Sequence, residues 1–130
     1  MSESKEGFLL IYLLVGLGGM IGAGLRYSLS LATACGWPGS FPLATLIANW
    51  AGCFLLPFLT FRLANRFSAA AQKGITTGVI GSFTTFSTFS VETVALWETG
   101  QIGAAFFYVF LSLAGGLLFI QLGARKGMVS

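Results

Sequence analysis

Four apolar runs, at about residues 8–34, 43–63, 75–97 and 102–123, take up most of this chain and are joined only by short polar turns. Each is near the roughly 20 residues a helix needs to cross the hydrocarbon core of a bilayer. Backbone polar groups find no water at that depth, so a span with no partner strands must satisfy them internally, as a helix. The expected fold is therefore an all-α integral membrane protein with four transmembrane helices in one domain covering residues 1–130. Charged residues make up only 8%, against about a quarter in a soluble domain.

The few polar groups narrow the chemistry. The chain has no His, four acidic residues and two cysteines, Cys35 and Cys53, without metal-type spacing, so hydrolytic, metal and redox catalysis lack their usual residues. An enzyme is not expected. The net charge of +3 reads as topology rather than nucleic-acid binding, because the basic residues sit at helix ends. The first run is too long and too rich in glycine for a signal peptide and reads as a retained span.

Along the first run, Gly18-x-x-x-Gly22 and Gly19-x-x-x-Ala23 put small residues on one face, where another helix can approach closely. Arg26 and Tyr27 follow before the turn C-G-W-P-G-S-F-P at residues 35–42. The second span carries Thr45, Asn49 and Pro57. An amide at the depth of Asn49 needs partners, either on a neighbouring helix or in a polar path. The fourth span carries Tyr108 and Ser112.

With four spans, Lys5, Arg62, Arg66, Lys73, Arg125 and Lys126 share one side of the membrane and Arg26 alone lies toward the other. The positive-inside rule then places both termini in the cytoplasm of a cell-membrane protein. The same topology brings Arg26 and Glu92 toward the opposite end of the bundle. An isolated charge there is costly, so the two are expected to pair or to share a polar network.

The third span holds the least ordinary stretch, Gly81 to Glu92, reading G-S-F-T-T-F-S-T-F-S-V-E. Half of these residues are Ser or Thr, and Phe83, Phe86 and Phe89 recur every third position. Ring edges are electropositive and tolerate a small anion without a formal positive charge. Hydroxyls of Ser87, Thr88 and Ser112 and the Asn49 amide would replace its water. The segment from Gly81 to Thr85 is also weak helix material, so a break is plausible, with freed carbonyls able to hold a cation. A continuous helix, with hydroxyls bonded back to its own carbonyls and rings facing lipid, is the competing reading.

G-x-x-T-T-F-S-T-F-S-x-E resembles the signature of the Fluc (CrcB) fluoride channel family. The stretch from Gly19 to Tyr27 is similar to that family's first-helix pattern, and F-P-L-A-T-L-I-A-N to the start of its second helix. The resemblance covers almost the whole chain and implies an antiparallel, inverted-topology dimer with a broken third helix in each subunit. It implies two fluoride pores and a central structural sodium ion at the dimer interface, held by backbone carbonyls of Gly81 and Thr84. Phe86 and Phe89 match the pore-lining rings, Ser87 and Thr88 the hydroxyls along the path, and Asn49 the pore amide. Tyr108 and Ser112 match polar positions near the pore, and Glu92 the acidic residue at its end.

Ala44 and Pro57 stand where that family commonly has glycine, which puts details of second-helix packing in question. The six-to-one bias of basic residues suits a chain that inserts one way. It favours a heterodimer with an oppositely oriented homologue over a homodimer. Two rival functions differ in their sequence demands. A small four-helix multidrug exporter, coupled to protons, would need a carboxylate in the first span, which is absent. A non-transporting scaffold would use the Ser/Thr/Phe stretch for packing alone.

Overall fold

The structure, a computed structural model, describes residues 2–129 and is almost wholly helical. Helix α1 covers Ser2–Gly36 and α2 covers Leu43–Leu63. The third span comes in two pieces: α3, residues 69–83, and α4, Ser87–Glu98. Helix α5 covers Ile102–Val129. Among the described residues, four helical segments are long and apolar enough to cross a membrane.

Local chemistry sets the ends. Pro38, between Gly36 and Gly39, stops α1, and Pro42 precedes α2. At the start of α3 the Ser68 hydroxyl accepts the Ala71 N–H at 3.3 Å. Helix α4 is closed off by Gly100, two residues past its end, whose φ of 79° is open to glycine at little cost. There Gln101 N–H reaches the Leu96 carbonyl at 2.9 Å and Gly100 N–H reaches Trp97 at 3.1 Å, closing the last turn.

The helices pack in two pairs, α1 against α3 and α2 against α5. Glycine controls both seams. A Cβ on Gly18 would overlap the Gly74 carbonyl oxygen, and one on Gly22 the carbonyl oxygen of Val79. From the other side, a Cβ on Gly78 would come within 2.7 Å of the Val15 oxygen. The small-residue stripe of α1 therefore lies where the sequence spacing places it, against the backbone of α3. Between Gly74 and Ile80, α3 widens into a π-helix, which the sequence pattern does not announce.

In the second seam a Cβ on Gly123 would overlap the Phe54 carbonyl. Trp50 spans the same seam, its indole N–H donating to the Leu111 carbonyl at 3.0 Å. Cys53 packs there too, with its sulfur 3.5 Å from where a Gly116 Cβ would stand. A small cluster, Leu46, Leu96, Ala105 and Tyr108, is buried where the start of α2, the end of α4 and the start of α5 meet. Large apolar side chains such as Phe8, Tyr12, Met20, Phe106 and Leu117 are exposed, as suits helices able to cross a membrane.

Gly22→Ala is expected to destabilise the bundle by about 1–3 kcal/mol, because the added methyl meets backbone that cannot move aside cheaply. Gly16, with nothing within 4 Å of its Cβ position, is the control. Unfolding midpoints in detergent should fall for Gly22→Ala and stay level for Gly16→Ala.

Candidate functional site

The site is organised around residues 84–86, which lie between α3 and α4. The last turn of α3 closes on Ile80, whose carbonyl accepts both the N–H and the hydroxyl of Thr84 at 3.0 Å. Thr84 then turns extended, with φ −83° and ψ 159°. Its side chain lies over Gly52 of α2, where a Cβ would overlap the Thr84 methyl. One turn earlier on the same helix, Asn49 takes the main chain of Thr85 in both directions. Its Oδ1 accepts the Thr85 N–H at 2.8 Å, and its Nδ2 donates to the Thr85 carbonyl at 2.9 Å. A non-helical residue within a hydrophobic span thus has both backbone groups satisfied.

This clamp leaves other carbonyls without their helical donors. In a continuous α-helix the Thr85 N–H would bond the Gly81 carbonyl and the Thr88 N–H the Thr84 carbonyl. Instead Thr85 N–H goes to Asn49, and Thr88 N–H goes to the Thr85 hydroxyl at 3.2 Å. Gly81 itself remains helical, as part of Gly81–Phe83, so the interruption starts three residues later than the sequence suggests. Asn49, and not weak helix propensity alone, decides where it falls.

The hydroxyls divide into two groups. Those of Thr84, Ser90 and Thr93 bond back to carbonyls four residues earlier, as helical Ser and Thr commonly do. Those of Thr85, Ser87 and Thr88 bond to one another: Thr85 donates to Thr88 at 3.1 Å and lies 3.3 Å from Ser87. One turn further along α4, Glu92 accepts from Thr45 at 2.9 Å and from Tyr108 at 2.8 Å, one hydroxyl on each carboxylate oxygen.

The rings follow a second stripe of α4. Phe86 is 79% exposed and stands 5.9 Å from Phe89, which lies 5.1 Å from buried Tyr108. Phe41 meets Tyr108 edge-on at 5.6 Å. Two cavities flank this element. A groove of about 830 Å³ is lined by Asn49, Thr85, Phe86, Phe89 and Ser112, and reaches Gly81 and Thr84. A smaller one of about 310 Å³ is lined by Arg26, Thr45, Thr88 and Glu92. The bond from Thr85 to Thr88 joins one lining to the other.

Asn49, Ser112, Phe86, Phe89, Gly81 and Thr84 thus meet on one cavity, and Thr88, Glu92 and Arg26 on the other. Of the two arrangements expected for Arg26 and Glu92, the ion pair is not formed: they line one cavity, and the carboxylate accepts hydroxyls from Thr45 and Tyr108. Asn49 commits its Oδ1 and one amide N–H to Thr85, which leaves the second N–H of the amide uncommitted. Two residues were missed as site members. Thr85 stands inside the motif, and Thr45 lies one turn before Asn49 on the same face of α2. The spacing alone could have raised Thr45, but nothing in the sequence says that Thr85 is the residue whose backbone leaves the helix.

Tyr108→Phe is expected to remove one of the two hydroxyl donors to a partly buried carboxylate, at about 1.5–3 kcal/mol. A double-mutant cycle with Glu92→Gln on thermal unfolding in detergent should show coupling; strictly additive losses would remove this bond from the account.

Residues 13–124 match the family described as CrcB-like protein, Camphor Resistance (CrcB). The chain is 51% identical over 120 residues to a protein of Bacillus cereus named fluoride-specific ion channel FluC 1, covering 91% of this chain and 88% of that one. A Geobacillus kaustophilus protein named fluoride-specific ion channel FluC 2 is 48% identical over 111 residues, 84% of this chain and 86% of that one. One from Moorella thermoacetica, named fluoride-specific ion channel FluC 1, is 47% identical over 116 residues, 88% of this chain and 83% of that one.

Proposed function

This chain belongs to the CrcB family, and from that premise we propose that it is a subunit of a fluoride-selective passive channel that exports cytoplasmic fluoride. The observation that carries the reading is the clamp of Asn49 on Thr85. It opens α3 from α4 beside the Thr85, Ser87 and Thr88 hydroxyls and the Phe86 and Phe89 rings. A partly dehydrated fluoride ion would be passed along hydroxyl donors and electropositive ring edges, from the groove at Ser112 past Thr85 and Thr88 toward Glu92 and Arg26. Export needs no energy coupling. A negative cell interior drives the anion outward by about 2.3 kcal/mol per charge per 100 mV. Selectivity over larger anions rests on short-range donors in a narrow path.

The working unit in this reading is a pair of subunits inserted in opposite directions, with two pores. The open groove on one side of α4, with Phe86 standing out from it, is where the second subunit would complete a pore wall. Both termini of this chain would face the cytoplasm. The strong charge bias favours a homologous, oppositely oriented partner over a second copy. Gly81 and Thr84 fit a structural sodium ion in kind, as carbonyl donors relieved of their helical partners and lining one groove. Once bound, sodium would supply positive charge balancing the carbonyl dipoles where the two helical breaks meet.

Efflux from liposomes tests the reading, with the chain reconstituted alone and together with any homologue encoded beside it. Electrogenic fluoride flux without a proton gradient is expected from at least one of the two preparations. Drug-dependent proton flux would instead identify an exporter, and silence of both preparations would leave a scaffold.

A further inference from the structure

At the opposite end of the bundle from Glu92, a cavity of about 380 Å³ opens between the C-termini of α2 and α5. It is lined by Phe61, Arg62, Asn65, Arg66, Gly127 and Met128. Among the described residues, no carboxylate lines it. We propose that this cavity binds the phosphate head group of an anionic phospholipid.

Arg62 carries the argument. An arginine at the end of a spanning helix ordinarily snorkels, with its stem on apolar surface and its guanidinium in water or on the last carbonyls. Arg62 is held differently. Its guanidinium carbon sits over the Phe58 ring, 5.3 Å from the centroid, in cation–π contact. Its Nε is buried and has no hydrogen-bond partner. A buried donor on a charged group left in this way is costly. Guanidinium N–H groups match phosphate oxygens in geometry and charge. Arg66, exposed on the same wall, adds a second cation, and the Asn65 amide a neutral donor.

The position selects the source of the phosphate. The cavity lies where α2 and α5 leave the hydrophobic core, on the side that gathers most of the basic residues. Phe61 and Met128, both exposed on its rim, would lie against acyl chains rather than solution. Basic pockets between spanning helices at this depth take lipid head groups. Gly127 keeps the two helices close beneath it: its Cβ position lies 3.1 Å from the Phe58 carbonyl oxygen and from the Phe61 Cβ.

Native mass spectrometry of the assembled channel tests this, using phosphatidylglycerol and phosphatidylcholine of the same acyl chains. Wild type should retain phosphatidylglycerol at least about tenfold more tightly, and Arg62→Gln with Arg66→Gln should lose about thirtyfold of the affinity for it, the order expected for two cations at a membrane surface. Arg62→Lys, which keeps the charge without the fork, should lose part of it. Fluoride flux and subunit assembly should persist in all three, which separates this site from the pore and shows that the variants fold. Equal retention of the two lipids by wild type would overturn the proposal. So would an unchanged preference in the double variant. Displacement of bound phosphatidylglycerol by millimolar inorganic phosphate would point to a site for the free ion and would equally overturn the lipid assignment.

Discussion

Asn49→Leu is expected to abolish fluoride flux and to destabilise the bundle together. Leucine matches the amide in size but offers neither partner to Thr85. The Thr85 N–H and carbonyl then lose 2.8 and 2.9 Å bonds at once. Each partly buried group left unpaired costs about 1–3 kcal/mol, so a loss of roughly 2–4 kcal/mol is expected, because the groove admits some solvent. Residues 84–86 would then relax toward helix, returning donors to the Gly81 and Thr84 carbonyls and dispersing the Thr85, Ser87 and Thr88 cluster. Asn49→Asp sharpens the test. Its carboxylate still accepts the Thr85 N–H but sets an oxygen against the Thr85 carbonyl and a negative charge beside the proposed anion path. Flux should again fail. Thermal unfolding in detergent, measured beside flux, decides what Asn49 does: full stability with lost flux would make it a simple lining residue.

Replacing Phe86 with Ile is expected to reduce fluoride flux at least about tenfold, equivalent to about 1.4 kcal/mol, while assembly and stability stay near wild type. Isoleucine keeps an apolar surface and removes the electropositive ring edge. Phe86 is the cleaner probe because it is 79% exposed, so its loss leaves no cavity within the subunit. Phe89→Ile should slow flux similarly but also lower stability, since Phe89 packs on buried Tyr108 at 5.1 Å. Wild-type flux in Phe86→Ile would remove this ring from the mechanism.

The two predictions concern the same turn of chain from different sides. Asn49 holds the main chain out of the helix, and the rings and hydroxyls are what that main chain presents. The division among the hydroxyls follows from it. Ser90 and Thr93 sit on regular turns of α4 and Thr84 caps the last turn of α3, each bonding back four residues, whereas Thr85, within the interruption, is turned toward Ser87 and Thr88. Bonding back to the helix and bonding among the side chains thus both occur, each at different residues.

Local rules are enough to specify the membrane class, the four helical runs and a close helix approach at Gly18 and Gly22. Hydrocarbon demands internally bonded backbone, and glycine at a spacing of four lets another helix in. The motif also singled out Asn49, the rings and the Ser/Thr cluster as the polar equipment of the bundle. What each of them does depends on the packed bundle. The partner of Asn49 lies 36 residues away, in the break between α3 and α4, and no periodicity says that an amide will hold a backbone there. The Glu92 carboxylate bonds Thr45 and Tyr108 instead of Arg26 for the same reason. A hydroxyl from α2 and another from α5 converge on it, and they satisfy it at less desolvation cost than burying a second charge.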